Sequence, residues 1–374
     1  MRFRLSAFAL TLLLLPLLLH SLGFSQTRQA TTAIPALPLQ EGAKQQARKF
    51  AAELMAQQNI PGLSVAVAID DQIVWSEGFG FADLENRVEA RPTTRFRTGS
   101  VSKLLTAAAV ARLYEQGRID LDAPVQRYVP AFPKKEQEIS VRQLAGHLAG
   151  IRHYSRDEFI NTQRYNGVSE SLKVFQDSPL LHPPGTKYLY SSYGYTLISA
   201  AVEGASNQAF LNYMQDQVFR PLKMESTIAD DNQQIIASRT RFYSRNDNGQ
   251  WVNATYTDNS NRWAAGGFIS TAEDLARFAS AHLKDGFLKP ETRTLMFTSQ
   301  KINDGKETGV GIGWRMGKDT EGRRILHHGG ESMGGRAFLL MYPEQKIVVV
   351  MLANLTFARF GEKEASSLAA LFMR

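Results

Sequence analysis

The chain of 374 residues contains no cysteine. That absence removes thiol nucleophiles, cysteine-ligated zinc, iron–sulfur clusters, disulfides and a lipid-modified N-terminal cysteine in one step. Histidine is sparse as well. The seven histidines show no H-x-x-x-H or H-E-x-x-H spacing, so no metal is implied, and no organic cofactor either. Also missing is any run of Lys or Arg. The formal charge of +7 is scattered and includes Arg2 and Arg4; without a basic stripe to follow a phosphate backbone, nucleic acid is not an expected partner. The remainder is ordinary globular composition, 43% apolar and 21% charged, enough for a large core in one or two domains. A small-molecule or peptide substrate is the expected partner, and nothing here fixes an oligomeric state.

Long apolar runs are rare too, and the main one is at the N-terminus. Leu5 to Leu19 is almost wholly apolar over about 15 residues, short of the ~20 that span a bilayer. Preceded by Arg2 and Arg4 and followed by the small residues Gly23 and Ser25, it reads as a secretory signal over 1–25. The alternative is an uncleaved membrane anchor. After cleavage no stable membrane span is expected, and the protein would be exported, periplasmic or secreted. Residues 26–41, rich in Thr, Ala, Gln and Pro, read as a linker.

Downstream, a helix is expected over about Glu41–Gln57, with Phe50, Leu54 and Met55 on one side. Leu63–Ile69 and Gln72–Trp75 read as an antiparallel hairpin turning at Asp70-Asp71. The C-terminal end mirrors this, with strands at Arg336–Tyr342 and Lys346–Leu352 and a last helix from about Glu362 to Met373. Strands at both ends with helical sequence between them predict an α+β fold, an α/β sandwich. Its antiparallel sheet would be built from both chain ends, flanked by helices, with a mainly helical region inserted. On that reading residues 42–374 form one domain, with a sheet subdomain over about 42–99 and 266–374 and a helical subdomain over about 100–265.

The chemistry candidates lie in three places. Ser100-Val101-Ser102-Lys103 is the one S-x-x-K of the chain, opening a helix expected over Ser100–Gln116 whose Leu104–Ala111 stretch has no charged face. Residues i and i+3 share a face, so the Lys103 amine can reach the Ser100 hydroxyl. Burial would push that amine down until it can take the serine proton. An N-cap serine beside a solvated lysine is the plainer reading. Tyr190, within the cluster Tyr188, Tyr190, Tyr193 and Tyr195, could shuttle a proton to a leaving group, or simply pack. His328-Gly329-Gly330 follows a probable strand, Arg324–His327, and precedes Gly334-Gly335. Its glycines would let backbone approach a ligand closely, or would form a turn. His327 and His328, adjacent on a strand, would point to opposite faces.

In this order the motifs resemble the serine β-lactamase and penicillin-binding-protein superfamily, in its class C-like branch, from roughly residue 45 to the C-terminus. The segments Ile139–Leu144, Pro184-Gly185-Thr186 and Trp263–Thr271 support the likeness. Gly150–Tyr154, Arg241-Phe242-Tyr243, Asp258-Asn259-Ser260 and Leu288–Thr292 look like the LACTB group. The resemblance implies a β-lactamase/transpeptidase-like fold and an exported serine hydrolase cleaving an amide or ester. Ser100 would be the nucleophile that forms the acyl-enzyme, Lys103 its base, and Tyr190 the second proton carrier. Ser192 would stand where relatives often place Asn to hold the substrate amide. His328 and Gly330 would line the opposite wall, with the oxyanion between the backbone N–H groups of Ser100 and Glu331.

Two departures matter. Ser192 is shorter than Asn, and His328 replaces a lysine, so carboxylate recognition should be weaker and efficient β-lactam hydrolysis is not expected. If His328 bound a carboxylate, activity would rise as pH fell toward ~6. Arg336 is a candidate replacement cation, or an exposed residue opening its strand. The pocket walls are expected from the loops Arg152–Tyr165 and Tyr256–Ala265. The alternative function is a penicillin-binding or assembly protein with little turnover.

Overall fold

The computed structural model describes residues 37–373. The signal expected over 1–25 and most of the linker lie outside them. The linker's last residues do not: helix α1 spans Leu37–Gln58, four residues earlier than expected, because Pro38 falls in a first turn where its missing N–H is not needed. The buried side of α1 is Ala43, Ala47, Ala51 and Leu54; Phe50 and Met55 pack only partly against that core.

The central sheet has seven strands. They are β1 (Gly62–Ile69), β2 (Gln72–Asp83), β3 (Val88–Glu89), β4 (Arg315–Lys318), β5 (Arg324–Ser332), β6 (Gly335–Tyr342) and β7 (Ile347–Ala353). Their order is β3-β2-β1-β7-β6-β5-β4. The first and last long strands are therefore neighbours, paired antiparallel from Leu63↔Ala353 to Ile69↔Ile347. The β1–β2 turn sits at Asp70 and Asp71, both with positive φ (48° and 69°). That is the type I′ geometry that matches strand twist, and short Asp side chains tolerate it.

Alternation along the central strands divides them between two cores. Ala66, Ala68, Val348, Val350, Leu352, Leu339 and Met341 face one. Leu63, Val65, Val67, Val349, Met351, Leu340 and Tyr342 face the other. The second core is covered by α1 and by the C-terminal helix Glu362–Ala370, through Ala365, Leu368 and Ala369. The first is covered by the inserted region, including helix α2 (Ser102–Glu115) and the Ser192–Ser206 helix. Strands buried on both faces explain why β1 and β7 read as unbroken apolar runs.

Three expectations need correction. Strand β2 runs to Asp83 rather than Trp75; most of its residues are only part-buried, so its mixed polar sequence looks like a loop. Ser100 does not begin the helix. It lies in a 3-10 turn, Gly99–Val101, with α2 starting at Ser102. His328-Gly329-Gly330 is not a turn but the interior of β5, which pairs with β6 from Leu326↔Met341 through Ser332↔Gly335. No described helix is long and apolar enough to cross a membrane.

Candidate active site

Strand β4 pairs with β5 only at Arg324–His327, so from His328 onward the other edge of β5 is free of β4. The Ser100 turn fills that edge. Gly99 has φ +48°, and a Cβ there would stand 2.6 Å from the Glu331 nitrogen. From the other side, a Cβ on Gly330 would stand 2.0 Å from the Thr98 carbonyl oxygen and 3.0 Å from the Ser100 nitrogen. Two side-chain-free positions thus let the backbone of Ser100 lie against that of Glu331. The close approach that Gly99 and Gly330 allow is between the Ser100 turn and β5, not to a ligand. Gly330 is consequently not a wall of the cleft; Gly329 is.

Ser100 Oγ has two partners. The Tyr190 hydroxyl donates to it at 2.8 Å, and Lys103 Nζ lies 3.0 Å away. Lys103 Nζ also meets Ser192 Oγ at 3.1 Å and the Ala265 carbonyl oxygen at 2.6 Å. Lys103 is fully buried with no carboxylate among these contacts. Burial, and then the like charges of Arg315 and Arg262, hold its amine well below the ordinary lysine value. The proton count follows. A neutral amine has two N–H groups and one lone pair. Ala265 O can only accept and takes one N–H. In that neutral form Ser192 Oγ would take the other N–H and leave the lone pair for the Ser100 hydroxyl; as an ammonium, Lys103 donates to all three oxygens. Burial keeps Tyr190 a phenol by raising its pKa, so its proton points at Ser100. The remaining polar groups at the head of α2 are paired: Thr98 Oγ1 and Ser102 Oγ are 2.8 Å apart, and Thr106 donates to Ala264 O at 2.9 Å.

Two histidines that sequence reasoning passed over hold Tyr190 and Ser192 in place. His147 Nδ1 accepts from the Ser191 N–H at 3.2 Å, and His153 Nδ1 from the Ser192 N–H at 3.1 Å. They satisfy backbone donors at the start of the Ser192–Ser206 helix, where Ser191 caps Gly194 N–H. Both stay neutral. Burial holds His147 far below its usual value, and burial with the Lys103 and Arg262 charges brings His153 to about 4. His147 has φ +61°, a strained backbone for a bulky residue beside a reactive group. Only the Gly150–Tyr154 resemblance pointed to this segment; no spacing did.

The cleft above Ser100 holds about 400 Å³, an ordinary size for a small-ligand site. Ser100, Tyr190, Ser192, His328 and Glu331 line it with the two expected loops, represented by His153, Tyr154, Phe159, Thr257, Asn259, Arg262 and Ala265. The loops are pinned together by Arg262, which donates to Phe159 O at 2.9 Å and Glu158 O at 2.7 Å. His328 Nδ1 lies 2.6 Å from the Gly329 carbonyl oxygen. A carbonyl only accepts, so Nδ1 carries the proton and Nε2 is a lone-pair acceptor. Burial, and then the charge of Arg315, hold His328 well below the ordinary imidazole value. This lowering works against a cationic His328 near pH ~6, the state that a rise in activity there would require. His327 does face the other way, stacked on Phe338 at 5.6 Å. Arg336 is neither exposed nor free. It pairs with Glu331 at 2.6 Å, keeps 15% of its side-chain surface, and donates to Phe360 O at 3.0 Å.

The family model described as beta-lactamase matches residues 47–372. The human serine beta-lactamase-like protein LACTB, mitochondrial (Homo sapiens), is 34% identical over 76% of this chain and 69% of its own. Among solved structures, an octameric penicillin-binding protein homologue from Pyrococcus abyssi superposes with TM-score 0.77 at 24% identity, covering 88% of this chain and 77% of that one. A D-stereospecific amidohydrolase from Streptomyces sp. superposes with TM-score 0.71 at 23% identity, covering 84% and 94%. At these identities the two structures speak to the fold.

Proposed function

The chain belongs to the β-lactamase family, and from that premise we propose that it is a serine hydrolase cleaving an amide or ester through an acyl-enzyme on Ser100. One observation carries this reading: a buried lysine whose Nζ meets only neutral oxygens, Ser100 Oγ among them at 3.0 Å. In the proposed reaction Ser100 Oγ bonds to the substrate carbonyl carbon while its proton passes to Lys103 Nζ. The carbonyl π pair moves onto oxygen. The resulting oxyanion is stabilised by the backbone N–H groups of Ser100 and Glu331, a role supported by the glycine-mediated contact between the two segments. Collapse breaks the bond to the leaving group, which takes its proton from the Tyr190 phenol; Tyr190 recovers one from Lys103. Water then adds to the acyl carbon, the Ser100 Oγ–carbon bond breaks, and Oγ regains a proton.

Ser192 Oγ lies 3.1 Å from Lys103 Nζ and lines the cleft, at the position where relatives often place Asn. His328 is buried and its basicity is lowered, so it supplies no cation to the cleft. Both features favour esters and peptides over β-lactams. We also propose export, on the pattern of residues 1–25; the human relative's name gives a mitochondrial address instead.

The test is intact-mass analysis of the wild type and Ser100→Ala during incubation with a penicillin and with a small activated ester. An adduct that forms and decays on the wild type alone is expected, with faster turnover of the ester. An adduct that stays would indicate a penicillin-binding protein. No adduct with either compound, and none with a fluorophosphonate, would leave a binding or assembly role. The same spectrum reads signal cleavage, since a chain starting at Gln26 lacks the mass of residues 1–25.

A further inference from the structure

A second pocket, of about 260 Å³, shares a wall with the cleft: Thr257 lines both. Arg97, Arg239 and Arg241 line this second space. Asp230, with no exposed side-chain surface, stands between two of them, with Arg97 Nε 2.6 Å from Oδ2 and Arg239 Nη2 2.6 Å from Oδ1. The other carboxylates nearby are already engaged. Asp231 is held by Arg164, and Asp83 accepts from the Asn86 N–H and Nδ2, with Arg241 Nε at 3.5 Å. Four guanidiniums thus share three carboxylates. The face of Phe242, 3.8 Å from the Arg97 guanidinium carbon and 5.2 Å from that of Arg239, offsets the surplus only in part. Donors are left over as well. Arg239 gives one side-chain hydrogen bond, from Nη2 to Asn232 Oδ1 at 2.7 Å, and its buried Nε has no partner among the described residues. Arg241 has the Asp83 ion pair and, among the described residues, no side-chain hydrogen bond. A half-buried cation short of counter-charge is costly, and the same shortage makes a site for an anion.

We propose that this pocket is a second ligand site, behind the cleft, which binds a phosphate-type oxyanion between Arg239 and Arg241. Neutral donors reach it from separate stretches of chain, the amides of Asn232 and Asn253 and the hydroxyl of Thr255 among them. That spread suits a tetrahedral anion, whose oxygens accept in several directions, better than a planar one held by a single fork. The bound anion supplies the missing counter-charge. It also bears on the cleft. Arg97 Nη1 donates to Met333 O at 2.7 Å and meets Thr257 Oγ1 at 3.3 Å, and Met333 and Thr257 both line the cleft. Phe242 packs on the same hairpin, where a Cβ on Gly334 would stand 2.2 Å from its own Cβ. The ligand is free phosphate or a phosphate monoester, which share this chemistry. Nothing in the proposal depends on turnover at Ser100.

Binding is measured by calorimetry on the full chain with inorganic phosphate and with phenyl phosphate, at an ionic strength held constant with sodium chloride so that screening does not change. Saturable binding at millimolar phosphate is expected. Arg241→Gln, at an exposed residue, should weaken it at least about tenfold, the size of one charge-assisted hydrogen bond, and Arg239→Gln should abolish it. Arg315→Gln, which removes a cation of the cleft instead, should bind as the wild type does. Tighter binding of phenyl phosphate supports a monoester as the ligand, and equal or weaker binding supports free phosphate. No saturable binding of either probe, binding unchanged by both Arg239→Gln and Arg241→Gln, or binding lost with Arg315→Gln would each overturn the proposal. If Arg239→Gln does not fold, Arg241→Lys decides: it keeps the charge, and must bind phosphate more tightly than Arg241→Gln. Failure of a fluorophosphonate to label Ser100, with phosphate binding intact, removes the hydrolase reading and leaves this one standing.

Discussion

Two buried basic side chains, Arg97 and Lys103, flank Ser100, and their surroundings differ. Arg97 is 4% exposed; its Nε meets Asp230 Oδ2 at 2.6 Å, its Nη1 donates to Met333 O at 2.7 Å, and its guanidinium lies 3.8 Å from the Phe242 ring centre. Arg239 holds the other oxygen of Asp230 at 2.6 Å. Lys103, at 0% exposure, has three neutral oxygens instead, and the charges nearest to it are those of arginines. A guanidinium keeps its proton in any protein setting, so burying it demands a counter-charge. An ammonium can shed its proton, and burying it without a counter-charge turns it into a base. The first arrangement ties the strand entering the Ser100 turn to the loops behind it. The second leaves a group poised for chemistry, and does so at a cost in stability.

Replacing the base tests that contrast most severely. Lys103→Met should slow ester acylation of Ser100 by roughly 10²–10⁴-fold, the usual contribution of a general base. The fold should not suffer. The folded-state pKa of Lys103 is lowered, so between that value and the ordinary ~10.4 the unfolded chain binds more protons, and native stability rises with pH through that window. At neutral pH the lysine is therefore a net cost. The urea midpoint of Lys103→Met should equal or exceed that of the wild type, with the excess shrinking as pH approaches ~10. A lower midpoint would mean that the three hydrogen bonds of Lys103 are chiefly structural.

The paired cation should behave in the opposite way. Asp230→Ala leaves Arg97 and Arg239 facing one another in the interior, and should cost about 3–5 kcal/mol in urea denaturation. A loss below about 1 kcal/mol would show that Arg97 finds other partners, and the contrast between the two cations would narrow.

The sheet was the more legible half of the molecule, because strands buried on both faces announce themselves as apolar runs and the Asp70-Asp71 turn has its own chemistry. The candidate site was legible only where its residues are near in sequence. Ser100 and Lys103 share a turn, so their meeting could be argued from spacing. Tyr190 and His328 were candidates from their local sequence, but their roles, and Ser192 as a site residue, came from the resemblance. The carbonyl of Ala265 and the acceptors His147 and His153 act through long-range contacts that no local pattern encodes. The full burial of His328 beside Lys103 is likewise something its motif position does not reveal.

The central claim is that burial among neutral oxygens makes Lys103 a base at working pH. The direct measurement is the rate of Ser100 phosphonylation by a neutral fluorophosphonate, followed by intact mass as a function of pH. The account predicts a rate that rises with pH and levels off well below the ordinary lysine value of ~10.4, with no second rise toward pH ~6, because His328 stays neutral. A rate still climbing beyond pH ~10 would mean that Lys103 holds its proton like any solvated lysine, and would contradict the account.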